Sequence, residues 1–165
     1  MTTVASRPLS RRSDVHALVA DQLESVGQRY TSSRRTLVAV LSAAGRPLPI
    51  PEIVGTAGLP QSSVYRNLAV LEAAGTVRRV NGADEFVRFE LDEPFTEHHH
   101  HLVCLGCGLV SDFVVPDPEE AVLERVVDTG AAAVGFRPSG HRLDVLGRCQ
   151  ACLSPGAGDG PAGAG

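Results

Sequence analysis

The sequence predicts an α+β chain in two parts, a mainly helical N-terminal domain and a small α/β C-terminal domain. Three observations predict it. Four amphipathic stretches follow one another before residue 76, and an alternating segment comes next. The charge then changes sign: residues 1–79 hold ten Arg against five acids, net +5, and residues 80–165 hold five Arg against fourteen acids, net −9. Finally, all four Cys and five of the six His lie beyond residue 97.

The first stretch, "SDVHALVADQLESVGQR", places Val15, Leu18, Val19, Leu23 and Val26 at helical period, with Ser13 as a cap. "TSSRRTLVAVLSAAG" reads as a second helix between Thr31 as N-cap and Gly45 as stop. "PEIVGTAG" is a short third helix with Pro51 in its first turn. "PQSSVYRNLAVLEAAG" is a fourth, with Val64, Leu68 and Leu71 on one face and Gly75 as stop. "TVRRVNGADEFVRFEL" alternates around Asn81-Gly82, a hairpin signal. Short helices followed by a hairpin are the order of a winged helix-turn-helix, here over residues 13–91, behind a polar tail at 1–12 expected to be disordered.

Residues 92–97, "DEPFTE", read as a linker or hinge. Beyond it, "HHHHLVC" and "GLVSDFVV" read as strands, "DPEEAVLERVVDTGAAAV" as a helix and "HRLDVLGRC" as a last strand, an α/β domain over 98–153. Residues 154–165, "SPGAGDGPAGAG", carry nothing to bury and are expected to be disordered. No run of about 18 apolar residues exists and no apolar signal core follows the N-terminal Arg, so no membrane partner and a cytoplasmic location are expected.

The four Cys form two Cys-x-x-Cys pairs, Cys104 with Cys107 and Cys149 with Cys152. In a reducing compartment that pattern points to a structural Zn²⁺ held by four thiolates. Such a site is closed and performs no catalysis. The His run, His98 to His101, leads straight into the first pair. On a strand, successive side chains point to opposite faces, so His98 and His100 share one face and His99 and His101 the other. One strand can therefore serve two metal sites. Partners within reach of the pattern are Glu90, Asp112, Glu119 and His141. A mixed His/carboxylate set suits Zn²⁺, Fe²⁺ or Mn²⁺. His16, alone on the first helix, reads as a surface residue.

"SSVYRNLAVLEAAGTVRR", "HHHHLVCLGCG", "HRLDVLGRC" and "CQAC" together resemble the ferric uptake regulator family of metal-sensing repressors, over roughly residues 14–153. The resemblance implies a winged-helix DNA-binding domain hinged to an α/β dimerisation domain, a homodimer, and a double-stranded DNA operator built as an inverted repeat. It also implies a structural Zn²⁺ on Cys104, Cys107, Cys149 and Cys152. A site within the dimerisation domain would use His98, His100, Glu119 and His141. A regulatory hinge site would use Glu90, His99, His101 and Asp112, or would recruit Asp84 or Asp92. Many members add a His just after the second helix, where this chain has Leu48 or Pro49. DNA contacts are expected from Ser62, Ser63, Tyr65 and Arg66 at the start of the fourth helix, with Gln61 beside them, and from Arg29 and Arg34.

The function expected is a repressor of metal uptake or homeostasis genes with the metal as co-repressor, not an enzyme. The unbroken His run, with His100 where many iron sensors carry Asp, favours zinc slightly over iron as the sensed ion. A peroxide-sensing regulator of the same family is the alternative. A zinc hydrolase lacks a His-Glu-x-x-His pattern, and a zinc store would not need a recognition helix.

Overall fold

A computed structural model describes residues 12–154 of the chain; side chains are described from Val15 onward. The terminal tails at 1–11 and 155–165 lie outside the described residues, as does the side chain of Ser13, the expected cap, whose backbone is already inside the first helix. The chain divides into two compact units. Of the described residues, 12–44, 48–80 and 88–97 form the first, and 45–47, 81–87 and 98–154 the second.

The first unit holds α1 (Arg12–Ser25), α2 (Ser32–Ala44), β1 (Leu48–Pro49), α3 (Ile50–Ala57), α4 (Gln61–Ala73) and, apart from their residues Asn81 and Val87, β2 (Val77–Asn81) and β3 (Val87–Leu91). The four helices were legible from apolar spacing, with two differences. α1 ends four residues earlier than its pattern suggests, because Gly27 adopts φ +70°. The Gln28 and Gly27 amides then turn back to the Leu23 and Glu24 carbonyls at 2.8 and 2.9 Å. This is the closure glycine permits at no steric cost, and Gly75 ends α4 in the same way. Leu18 and Val26, read from the sequence as part of the apolar face, are 49% and 48% exposed; Val15, Val19 and Leu23 carry the packing. Thr31 caps α2 by accepting the Arg34 amide at 3.4 Å.

The expected hairpin forms, but Asn81 is the last residue of β2 and five residues separate it from β3, so the tip is not a two-residue turn. The sequence reading also missed β1, whose two residues carry no period. Leu48 pairs with Phe89 and Pro49 with Arg88, giving a three-stranded sheet in the order β1-β3-β2. Leu48, Phe89 and Leu91 join the helical core of Leu37, Val38, Leu41, Ile53, Val64, Leu68 and Leu71. Residues 92–97, expected as a polar linker, contain one 3-10 turn over Glu93–Phe95. Asp92 caps it by accepting the Glu93 amide at 3.0 Å, and Phe95 packs on the core. His16 is not a simple surface residue: its Nδ1 lies 2.6 Å from the Tyr30 hydroxyl.

The second unit holds β4 (His100–Cys104), β5 (Val110–Phe113), α5 (Asp117–Ala133), β6 (Asp144–Gly147) and the short α6 (Gln150–Leu153), which the sequence reading did not anticipate. β4 is the central strand, antiparallel to β5 and parallel to β6. α5 starts behind Pro116 with Pro118 in its first turn and three acids, Asp117, Glu119 and Glu120, at its positive N-terminal end. Its covered positions are Glu120, Ala121, Leu123, Val127 and Ala131, a stripe at helical period. Among the described residues no helix is long and apolar enough to cross a membrane.

Leu68 is 1% exposed and Leu18 is 49% exposed. Leu68→Ala is therefore expected to lower the stability of the first unit by about 2–5 kcal/mol. Leu18→Ala should stay within about 0.5 kcal/mol. Urea denaturation followed by circular dichroism checks the pair.

Candidate metal centres and nucleic-acid interface

The strand pairings of the second unit decide what each side chain can reach. In the register of β4 with β6, Cys104 faces Gly147, and the Leu105 amide donates to the Gly147 carbonyl at 2.7 Å. That brings Cys149 back beside Cys104, so the Cys149 amide donates to Cys104 Sγ at 3.2 Å. α6 then carries Cys152 round one turn, its amide on the Cys149 carbonyl at 2.9 Å. Four ligand atoms, from Cys104, Cys107, Cys149 and Cys152, lie within 4.8 Å of one another, with Cys107 and Cys149 sulfurs 3.7 Å apart. No disulfide joins them.

The thiols are not equivalent. The Cys149 amide is the main cause that draws the Cys104 thiol down to about 6, while hydrogen bonding with the Cys107 thiol is the main cause that pushes Cys152 up to about 12. Such crowding of sulfur is what a divalent cation relieves, releasing the remaining protons. Gly106, between the first two Cys, is required by close approach: a Cβ there would lie 2.9 Å from Cys152 Sγ. The donor set fits Zn²⁺.

The His run alternates as strand geometry demands, and the alternation extends beyond β4 itself. His98 and His100 ring centroids are 4.8 Å apart, and those of His99 and His101 are 5.3 Å apart. On the first face, His100 Nε2 lies 2.9 Å from Glu120 Oε2; His98 and His141 Nε2 lie 3.3 and 2.9 Å from Glu120 Oε1. His98, His100, His141 and Glu120 each offer a ligand atom within 4.8 Å of the others. The carboxylate here is Glu120, not the expected Glu119. Helix phase is the reason: Glu120 lies three and seven residues before Leu123 and Val127 on the covered stripe of α5, and Glu119 points away to solvent. That spacing was present in the sequence and would have separated the two neighbours.

Two atoms test whether this group suits an ion. His141 Nε2 and Glu120 Oε1 are buried atoms that face each other at 2.9 Å without the geometry of a hydrogen bond. Buried polar atoms of that kind cost free energy unless something satisfies them, and a cation among these donors does so. The His100 hydrogen bond is the main cause that holds the Glu120 carboxyl below its usual range, keeping it an anionic ligand.

On the other face, Asp112 stands opposite His101 in the β4–β5 register. Its Oδ1 lies 3.8 Å from His101 Nε2 and its Oδ2 4.0 Å from His99 Nε2. His99 and His101 are 9% and 2% exposed. These separations are too long for direct hydrogen bonds and leave room for an ion between the groups. Asp144, which the sequence reading did not single out, places Oδ1 3.2 Å from His101 Nδ1. The remaining expected donor, Glu90, belongs to the first unit. It is buried on β3, with Oε1 2.6 Å from Arg78 Nε. Asp92, offered as an alternative, is occupied as the cap of the 3-10 turn, and Asp84 accepts the Phe86 amide at 3.3 Å. Leu48, where a further His was looked for, is 5% exposed in the hydrophobic core and cannot ligate.

In the first unit, α4 buries Val64, Leu68 and Leu71 and turns Gln61, Ser62, Tyr65 and Arg66 outward, with Ser63 half-buried. Tyr65 is 51% exposed, so it is not a core residue. Arg66 Nε donates to the Ser62 carbonyl at 3.3 Å, which lays its guanidinium along the helix. Arg34 Nε donates to Asn67 Oδ1 at 3.2 Å and its guanidinium also donates to the Arg29 carbonyl. Asn67 in turn donates to the Ser63 carbonyl at 2.8 Å. Sequence reasoning missed Asn67, the residue that ties α2 to α4 and fixes Arg34. Arg35 stacks on Tyr30, 4.6 Å from the ring centroid. The start of α4 thus presents a polar and basic face on a packed helix.

Exchange of neighbouring carboxylates separates the two helix phases. Glu120→Gln is expected to weaken metal binding at the His98/His100/His141 group by at least about tenfold, since it removes an anionic ligand. Glu119→Gln should leave affinity unchanged. Titration of the zinc-retaining protein with Co²⁺, read by visible absorption, checks both.

Comparison with known proteins agrees with this architecture. The ferric uptake regulator family model matches residues 25–145. The ferric uptake regulation protein of Legionella pneumophila is 32% identical over 139 residues, covering 81% of this chain and 97% of that protein. The peroxide operon regulator of Bacillus subtilis is 35% identical over 91 residues, with the match spanning 55% of this chain and 57% of that protein. Among solved structures, the Vibrio cholerae ferric uptake regulator superposes with a TM-score of 0.62 at 28% identity, covering 78% of this chain and 98% of that one. With a winged-helix unit, a small α/β unit and a family match over most of its length, the chain belongs to the ferric uptake regulator family of metal-responsive transcriptional regulators.

Proposed function

We propose that this chain is a homodimeric repressor of metal uptake or homeostasis genes, with a divalent ion as co-repressor. The single observation that carries the reading is the His run of β4, which points alternate rings into two separate His/carboxylate groups a few residues from a four-Cys group. Cys104, Cys107, Cys149 and Cys152 would hold a structural Zn²⁺. His98, His100, Glu120 and His141 would hold a second ion in the α/β unit. His99, His101 and Asp112, with Glu90 supplied by the winged-helix unit, would form the regulatory site. A ligand set drawn from both units restrains their hinge, and only one spacing of two winged helices fits two half-sites of an inverted repeat. Coupling is reciprocal, so DNA tightens metal binding by the factor by which metal tightens DNA binding.

Zn²⁺ is favoured slightly over Fe²⁺ as the regulatory ion, with Mn²⁺ third. The donor sets are rich in imidazole, and Zn²⁺ has the highest intrinsic affinity of the three for such sites. Self-association is supported by the apolar surface of the α/β unit: Leu102, Val145, Leu146 and Phe136 are 45%, 43%, 63% and 67% exposed in the single chain. One observation favours a second reading. Asp112 is a carboxylate between His99 and His101, and several relatives carry peroxide-responsive names. On that reading bound Fe²⁺ reports peroxide rather than metal supply.

A DNA duplex selected by the protein from a random pool tests the proposal. The protein, keeping its structural Zn²⁺ and stripped of other metal, is titrated onto it in buffered Zn²⁺, Fe²⁺ and Mn²⁺. Affinity should rise at least about fivefold with the cognate ion, the lower end of usual allosteric coupling; no change with any ion would overturn the co-repressor reading. Arg66→Ala and Tyr65→Ala should each weaken binding by about 1–3 kcal/mol, with metal content unchanged. Loss of Fe²⁺-dependent binding only after peroxide treatment would select the second reading.

A further inference from the structure

His100 and His101 are adjacent on β4 and almost fully buried, at 1% and 2% exposure, yet their rings are held differently. His100 uses Nε2 on Glu120 and leaves its buried Nδ1 with no hydrogen-bond partner. His101 has a carboxylate on each side. The register of the three strands is the cause. Asp112 on β5 and Asp144 on β6 are both direct partners of His101, so the three side chains form one row across the sheet on a single face. The His101 amide donating to the Leu143 carbonyl at 3.1 Å pins β6 in that register. Asp144 Oδ1 then lies 3.2 Å from His101 Nδ1, while Nε2 is turned toward Asp112 and the His99 ring.

The geometry points to Asp144 as a positioning residue for the regulatory metal site, holding His101 by Nδ1 so that Nε2 is the atom presented to a divalent cation. This rests on the proposed role of His99, His101 and Asp112 as ligands. An imidazole has two inequivalent nitrogens, and the hydrogen bond made by one decides which the metal can take. A carboxylate on Nδ1 keeps the proton there, leaves the Nε2 lone pair free, and makes that nitrogen a better donor. It also restricts rotation about the ring axis, which otherwise must be frozen when the ion binds. His100, the neighbouring buried imidazole, has no such partner on its Nδ1.

Asp144 is 44% exposed at its side chain, where an isolated carboxylate–imidazole pair adds little to folding. Its effect should therefore fall on ion affinity rather than on stability.

The test uses the full chain with its structural Zn²⁺ retained and a His98→Ala/His100→Ala background, which leaves the His99/His101/Asp112 group as the open site. Co²⁺ is the probe, read by its visible absorption bands. Asp144→Asn should weaken Co²⁺ binding about 10- to 100-fold, the usual size of such outer-shell changes. It should also alter the band pattern, and Asp144→Glu should restore most of the affinity. Asp144→Ser serves as a second variant, and thermal unfolding of each reports whether folding is intact. If Asp144→Asn and Asp144→Ser bind within about twofold of the parent while His101→Ala abolishes binding, the positioning role is wrong and the site stands. If His101→Ala binds Co²⁺ as the parent does, the site reading itself falls and this inference with it.

Discussion

The two-residue alternation of one short strand organises the α/β unit. β4 is central, with β5 and β6 hydrogen-bonded on either side, so its register is set twice. A slip of one residue would exchange the two His pairs between faces and bury the wrong partners. With the register held, His98 and His100 meet Glu120 and His141 on one side, and His99 and His101 meet Asp112 on the other. Cys104, at the end of the same strand, meets Cys149 through the β6 pairing. Three candidate metal-binding groups thus depend on the placement of one strand.

This dependence has an energetic consequence. Few large apolar side chains of this unit are buried among the described residues; Val103 and Val110 are, while α5 has none. Its interior holds polar groups instead: His99, His100, His101 and Cys104 are buried, beside half-buried Glu120 and His141. Ions bound to such groups, as proposed above, would link metal loading to ordering of the unit. The winged-helix unit differs in kind: its core of Val, Leu and Ile side chains is closed without any ligand. Its helix α4 is ordered by packing, and Asn67 with Arg34 ties it to its neighbour α2.

Much of this was legible from residues alone. The helices of the first unit followed from apolar spacing with glycine stops, and the two Cys-x-x-Cys pairs and the His alternation followed from chemistry at fixed intervals. What escaped has physical reasons. β1 is two residues long and has no period, so only its pairing with β3 defines it. Glu119 and Glu120 differ by one helical step, and their roles are separated only when the phase is taken from Leu123 and Val127. Asp144 is a single acid on a strand, and nothing local marks it; its meaning comes from a register with His101, 43 residues away. Long-range pairing is the part of a fold that one-dimensional patterns report least.

The central claim is that one His run serves two independent sites, and metal stoichiometry tests it most directly. The zinc-retaining wild-type chain, equilibrated with excess Co²⁺, freed of unbound ion and analysed for metal, should carry one ion for each of the three donor groups. His98→Ala with His100→Ala, and separately His99→Ala with His101→Ala, should each lose one ion and keep the other two, and the quadruple variant should keep only the structural ion. If either double variant loses both of the non-structural ions, or if neither loses any, the two faces of β4 are not separate sites and the account fails.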